Sequence, residues 1–182
     1  MEEHAEPSDE AERLAAGDSL AWEAFYGRIY PKMMVYAENR LGRGEAAKDA
    51  VSEALARTVR SIVRAKETKT AADAWAFGVL RHVVTDFQRA SYKTIPAKAI
   101  TLGADGVDEG LLVSEERQQL LLAFSTLNDQ ERDILELRVV AGLGSEEVGG
   151  ILNMTAGAVR MAQARALAKL RTRMEEGDNA RV

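Results

Sequence analysis

Apolar residues recur at helical spacing along most of the chain, and they predict helices with few interruptions. From Ser19, Trp22, Phe25 and Ile29 make one stripe, with Tyr26, Tyr30 and Met33 beside it. Pro31 lacks an N–H and disfavours a helical Tyr30, so the pattern predicts a break there and a second helix ending before Gly42. A further helix, 44–64, points Ala47, Val51, Leu55, Val59 and Ile62 at a core, and a polar loop, 65–70, follows. In 71–90 the stripe is Trp75, Val79, Val83 and Phe87, with Leu80 and Val84 alongside. Periodicity lapses over 91–113, which holds Pro96, Gly103, Gly106 and Gly110 among acids.

It returns in a helix over 114–124 and another opening at Asn128, where Asn128 and Glu131 form a capping-box pattern. Ile134, Leu135, Leu137 and Val139 are the core residues expected of the latter, which ends at Gly142. Ser145 is expected to cap a short helix with Val148, Ile151 and Leu152 on one face. After the turn Asn153-Met154, Thr155 caps a longer helix whose apolar stripe is Val159, Ala166 and Leu170. The pattern therefore predicts an all-α chain: a helical domain over 17–90, a linker over 91–113 and a helix-turn-helix domain over 114–176. Outside these lie an acidic arm, 1–16, expected to be disordered apart from a helical start near Ala11, and a tail, 177–182.

Charge sharpens this picture. The 182 residues carry a net charge of -5, so nucleic-acid binding has to be local or made with a partner. From Ile151 onward there are six Lys or Arg and three acids, whereas from Leu121 to Gly150 there are two basic and six acidic residues. A basic helix on an acidic support is placed for phosphate contact, although an ordinary hairpin with a solvated face has the same periodicity. Arg160, Gln163 and Arg165 are the donors best placed for base edges in a major groove.

Composition also excludes chemistry. The chain has no cysteine, so disulfides, thiolate metal sites and thiol catalysis are ruled out, and its two histidines, His4 and His82, are far apart in sequence. No catalytic constellation, metal site or cofactor motif is visible, and no enzyme activity is expected. No apolar run approaches the roughly 20 residues of a membrane span, so membrane insertion is not expected and a cytoplasmic location is.

The acidic helix EAAKDAVSEAL, the Trp-initiated helix WAFGVLRHVVTDFQR and the run LNDQERDILELRVVAGLGSEEVGGILNMTAGAVRMAQARALAKLR, in this order, resemble a bacterial extracytoplasmic-function (group IV, sigma-70 family) RNA polymerase sigma factor. The resemblance covers about residues 17–174 and implies that the first domain is similar to sigma region 2 and the second to region 4. It implies core RNA polymerase and promoter DNA as partners, admits an anti-sigma factor, and requires no cofactor. On this resemblance Asp49 and Glu53, four apart without an obvious intrahelical partner, dock on polymerase. Trp75, Arg81, His82, Asp86 and Arg89 face the -10 element, while Thr155, Arg160, Gln163, Arg165 and Lys169 face the -35 element.

The chain departs from the family in three places. His82 stands where Asn is usual, Ala162 where an Arg is usual, and Gly149-Gly150 where an Ala-acid pair is usual. Two adjacent helical glycines are expected to cost roughly 1–2 kcal/mol against alanine. A stand-alone helix-turn-helix regulator, or an adaptor that only binds proteins, shares the helical pattern but not the paired domains.

Overall fold

The computed structural model describes residues 7–94 and 115–179, and all regular elements among them are helical. They fall into two compact units, one within residues 1–103 and one within 104–182.

In the first unit α1 (Pro7–Ala15), α2 (Ser19–Leu41) and α4 (Ala72–Thr94) all pack against α3 (Glu45–Glu67). The core is Phe25, Ile29, Met33 and Tyr36 from α2, Val51 and Ile62 from α3, and Phe77, Leu80 and Val83 from α4. Four alanines of α3, Ala47, Ala50, Ala54 and Ala65, are buried with them and let the helices approach closely.

The arm is ordered from Pro7, contrary to the disorder its composition suggests. Ala11 and Leu14 are buried, and the Trp22 indole N–H donates to the Leu14 carbonyl at 3.0 Å. One of the acids that look like a solvated tail, Glu10, has a partner in Arg28 at 2.9 Å, which also bridges Asp73 of α4 at 2.7 Å. Asp18 then caps α2, accepting from Leu20 N–H at 3.0 Å and Ala21 N–H at 3.1 Å. The Ala21 N–H, with Arg13 beside it, holds the Asp18 carboxyl below its usual value. The cap is thus fully formed above the ordinary carboxylate range and is lost as pH falls through the lowered value. Residues 1–6 lie outside the described residues.

Pro31 does not break the helix either, and α2 runs through it. Phe25 and Ile29 before it and Met33, Tyr36 and Ala37 after it are all buried, while Pro31 faces solvent, so burial on both sides outweighs the lost hydrogen bond.

Two stripes are displaced from their expected lines. On α3 the inward path is Val51, Ala54, Thr58 and Ile62; Leu55 is half-buried and Val59 is 54% exposed. The Thr58 hydroxyl donates to the Ala54 carbonyl at 2.8 Å, which makes threonine acceptable inside. On α4 the core residues are Ala76, Phe77, Leu80, Val83 and Val84, and Trp75, Val79 and Phe87 are only half-buried. Helix also replaces part of the expected loop, since α3 continues to Glu67 and only a short turn, with Lys69 at φ 53°, precedes α4. The linker likewise starts later, α4 ending at Thr94, and residues 95–114 lie outside the described residues.

In the second unit α8 (Ala156–Asn179) packs on α5 (Glu115–Ser125), α6 (Asp129–Leu135) and α7 (Ser145–Leu152). It carries Val159, Ala166 and Leu170 inward as expected, and it continues three residues into the segment taken as a tail. The capping box forms at Asn128, with Glu131 N–H to Asn128 Oδ1 and Asn128 N–H to Glu131 Oε2, both at 2.8 Å.

The helix opened there does not stay α-helical. Residues Glu136–Val140 form a π-helix, closed by the Ala141 N–H to the Glu136 carbonyl at 3.0 Å. The wider turn changes which side chains face inward. Val139, an expected core residue, is 66% exposed, and Glu136 is buried at 2%.

Gly144, not Ser145, is the cap of α7, its N–H donating to Glu147 Oε2 at 2.6 Å. Asn153 ends α7 at φ 55°, in the left-handed region that Asn tolerates. The two glycines of α7 turn out to be unlike. A Cβ on Gly149 would lie 2.5 Å from the Met154 carbonyl oxygen, whereas one on Gly150 would meet nothing within 4 Å. Gly150→Ala should therefore stabilise the second unit by about 1 kcal/mol. Gly149→Ala should destabilise it by about 1–3 kcal/mol, because backbone has to move. Thermal unfolding of the two variants checks this, and shifts of the same sign would contradict it.

Candidate nucleic-acid interface

The outward side of α4 carries His82, Asp86 and Arg89 at i, i+4 and i+7, all exposed. One and two turns earlier on the same side come Gly78 and Trp75. Trp75 does not stand free, because its indole N–H donates to Ser61 Oγ of α3 at 3.0 Å and braces α4 from the side. Arg81 is half-buried about 100° around the helix from His82, so the structure gathers four of the five expected residues on one line and leaves Arg81 beside it.

His82 has a defined polarity. Its Nδ1 lies 2.7 Å from the Gly78 carbonyl. A carbonyl only accepts, so in the neutral ring Nδ1 carries the proton and Nε2 offers a lone pair outward.

The acidic pair lies on the exposed side of α3. Lys48 closes on Glu45 at 2.8 Å rather than on Asp49. Glu53, expected to lack an intrahelical partner, has one: Arg57 Nε donates to its Oε1 at 2.7 Å, and Arg60 stands at 3.8 Å. The Arg57 guanidinium holds the Glu53 carboxyl below its usual value. Arg57 also reaches Asp86 of α4 at 3.8 Å, a junction between the two faces that a search within single helices does not detect.

On α8 the Thr155 hydroxyl accepts from Ala158 N–H at 3.2 Å, so Thr155 is the cap, and it is exposed. Outward of the core stripe run Gly157, Met161, Ala164 and Ala168, all exposed, with Met161 at 58%. Arg160 and Arg165 flank this low ridge, roughly 70° to either side by helical geometry. The other two expected contacts are half-buried and are paired within the unit. Gln163 Oε1 accepts from Arg138 Nε at 3.0 Å, and Lys169 pairs with Glu131 at 3.0 Å.

A domain model described as Sigma-70 region 2 matches residues 25–94, and one described as Sigma-70, region 4 matches residues 123–172. The chain is similar to the ECF RNA polymerase sigma factor ShbA of Streptomyces griseus, 31% identical over 177 residues that cover 90% of this chain and 93% of that one. The chain belongs to the ECF RNA polymerase sigma factors. It is also 32% identical to the ECF RNA polymerase sigma factor SigD of Mycobacterium tuberculosis, over 86% of this chain and 78% of that one. A solved structure, CnrH in complex with the cytosolic domain of CnrY, shares the fold, with a TM-score of 0.62 and 17% identity over 94% of this chain and 99% of that one.

The protein is thus a promoter-recognising sigma factor, and its two family regions coincide with the two compact units. Met161 is the outward residue of the sigma factor's α8 that a search for polar side chains passes over. Its position four after Gly157 and three before Ala164 is the signal that would have found it.

Proposed function

We propose that the sigma factor divides its work among three helix faces. Asp49 and Glu53 of α3 dock on a basic surface of core RNA polymerase. His82, Asp86 and Arg89 of α4, braced by Trp75, face the -10 element. Thr155, Arg160 and Arg165, with Met161 between them, enter the major groove of the -35 element. The observation that carries this reading is the α4 line, where three polar readers stand exposed above a tryptophan fixed from behind. An extruded base needs such a floor and rim.

The protein acts through binding and not through catalysis, and the cytoplasm is where polymerase and promoter are met. Among the described residues no helix is long and apolar enough to cross a membrane. We extend to this chain the family's further protein partner, an anti-sigma factor.

Run-off transcription with core polymerase on genomic fragments tests the reading, and start sites that depend on both promoter elements are expected. The free protein should bind promoter duplex poorly, because the net charge is -5 and Lys169 is paired internally with Glu131. What binding there is should weaken steeply with salt. Tight, sequence-specific gel shifts at physiological salt without polymerase would favour the stand-alone regulator.

A further inference from the structure

We propose that Arg138 and Gln163 are positioning residues for promoter reading: their hydrogen bond fixes the rotation of α8 against its support, and Gln163 itself reads no base. The inference rests on the assignment of α8 to the -35 element.

Arg138 sits in the middle of the π-helical segment and is half-buried. There its Nε donates to Gln163 Oε1 at 3.0 Å, and a terminal nitrogen donates to the Leu143 carbonyl just before α7. One guanidinium thereby joins three parts of the unit: the π segment, the entry to α7 and the second turn of α8. Arginine has no acceptor, so the Gln163 amide has to present its oxygen inward. The oxygen that would accept in the paired donor–acceptor contact by which glutamine reads adenine is thereby already engaged by Arg138.

Helical phase points the same way. Gln163 follows buried Val159 by four residues and precedes buried Ala166 by three, which places it near the core stripe, and it is half-buried. Arg160, by contrast, lies on the exposed shoulder. A few degrees of rotation of α8 would move Arg160 and Arg165 off their base edges, so a group that sets the rotation acts on recognition without touching DNA.

The test uses the full chain with core polymerase on promoters randomised across the -35 element. Gln163→Ala should lower -35-dependent initiation about tenfold, as expected for loss of one hydrogen bond to a charged group, and Arg138→Met, which also loses the bond to the Leu143 carbonyl, at least as much. Base preferences should stay as in the wild type. Gln163→Glu, which still offers Arg138 an acceptor, should restore most of the activity. In the free protein the Arg138 Nε–H signal should exchange slowly with solvent in the wild type and in Gln163→Glu, and quickly in Gln163→Ala.

A changed preference at a single base pair in Gln163→Ala would make Gln163 a reader and overturn the proposal. So would a Gln163→Glu protein as weak as Gln163→Ala, or an Arg138 signal that exchanges quickly in the wild type. If Arg138→Met does not fold, the Ala and Glu variants at 163 decide alone. Arg160→Ala serves as the control for the underlying reading: it should change preference at its own base pair, and if it does not, the assignment of α8 to the -35 element fails, while the exchange measurement still scores the Arg138–Gln163 bond.

Discussion

Replacing Asp49 and Glu53 together by lysine is expected to abolish association with core RNA polymerase. Both carboxylates are exposed or half-buried on one side of α3, away from Ala47, Val51 and Ala54, which hold that helix to the core. The substitution therefore leaves the apolar packing untouched. At position 53 it removes the acceptor of Arg57 and sets a lysine near Arg57 and Arg60. That adds repulsion at the surface, where exposed pairs contribute at most about 1 kcal/mol, so the unit should stay folded. At an interface with a basic partner the same reversal is far more costly, since like charges meet where water is excluded, and more than about 100-fold in affinity should be lost. Pull-down of polymerase, with circular dichroism to check the helices, decides it. Undiminished capture by the double variant would rule out this face as the docking surface.

His82→Ala is expected to leave thermal stability nearly unchanged and to lower open-complex formation on the protein's own promoter by about 10- to 100-fold, the value of a stacked or hydrogen-bonded base. The side chain is exposed, and its bond to the Gly78 carbonyl is made within its own helix. Exposed substitutions of this kind usually shift stability by no more than about 0.5 kcal/mol. His82→Asn should shift the preferred base and not abolish activity. With Nδ1 held by Gly78, the neutral imidazole presents one acceptor, whereas an amide presents both a donor and an acceptor. Transcription from templates randomised across the -10 element, with wild type and both variants, measures this. If His82 only supports the helix, stability will fall and base preference will stay fixed in all three proteins.

Where a residue's surroundings lie within a few positions of it, its role was legible in the chain. Asn128 and Glu131 cap each other, Thr155 caps α8, and Val159, Ala166 and Leu170 form the buried stripe as their spacing implies. The two-domain, all-helical plan needed nothing more.

Other features depend on partners distant in sequence, and these were not legible. Nothing near Pro31 announces that burial on both sides will carry the helix through it. Glu10 looks like part of a solvated arm until Arg28, eighteen residues on, is brought beside it. Across the π turn at Glu136–Val140, Val139, expected in the core from its spacing, is exposed, and Glu136 is buried. At the site, residue type alone grouped Gln163 and Lys169 with Arg160 and Arg165. Their inward bonds to Arg138 and Glu131 come from elements remote in sequence.

Arg57 has a consequence for how variants of this sigma factor are interpreted. It donates to Glu53 at 2.7 Å and stands 3.8 Å from Asp86, so one guanidinium is shared by the side chains proposed to meet polymerase and promoter. Residues with a common partner are those for which single effects fail to add. Whatever draws Glu53 away leaves Arg57 more available to Asp86, and by linkage the influence runs equally in the other direction. On the roles proposed for Glu53 and Asp86, polymerase capture and promoter choice are not independent traits, and a substitution selected for one is expected to carry a correlated change in the other.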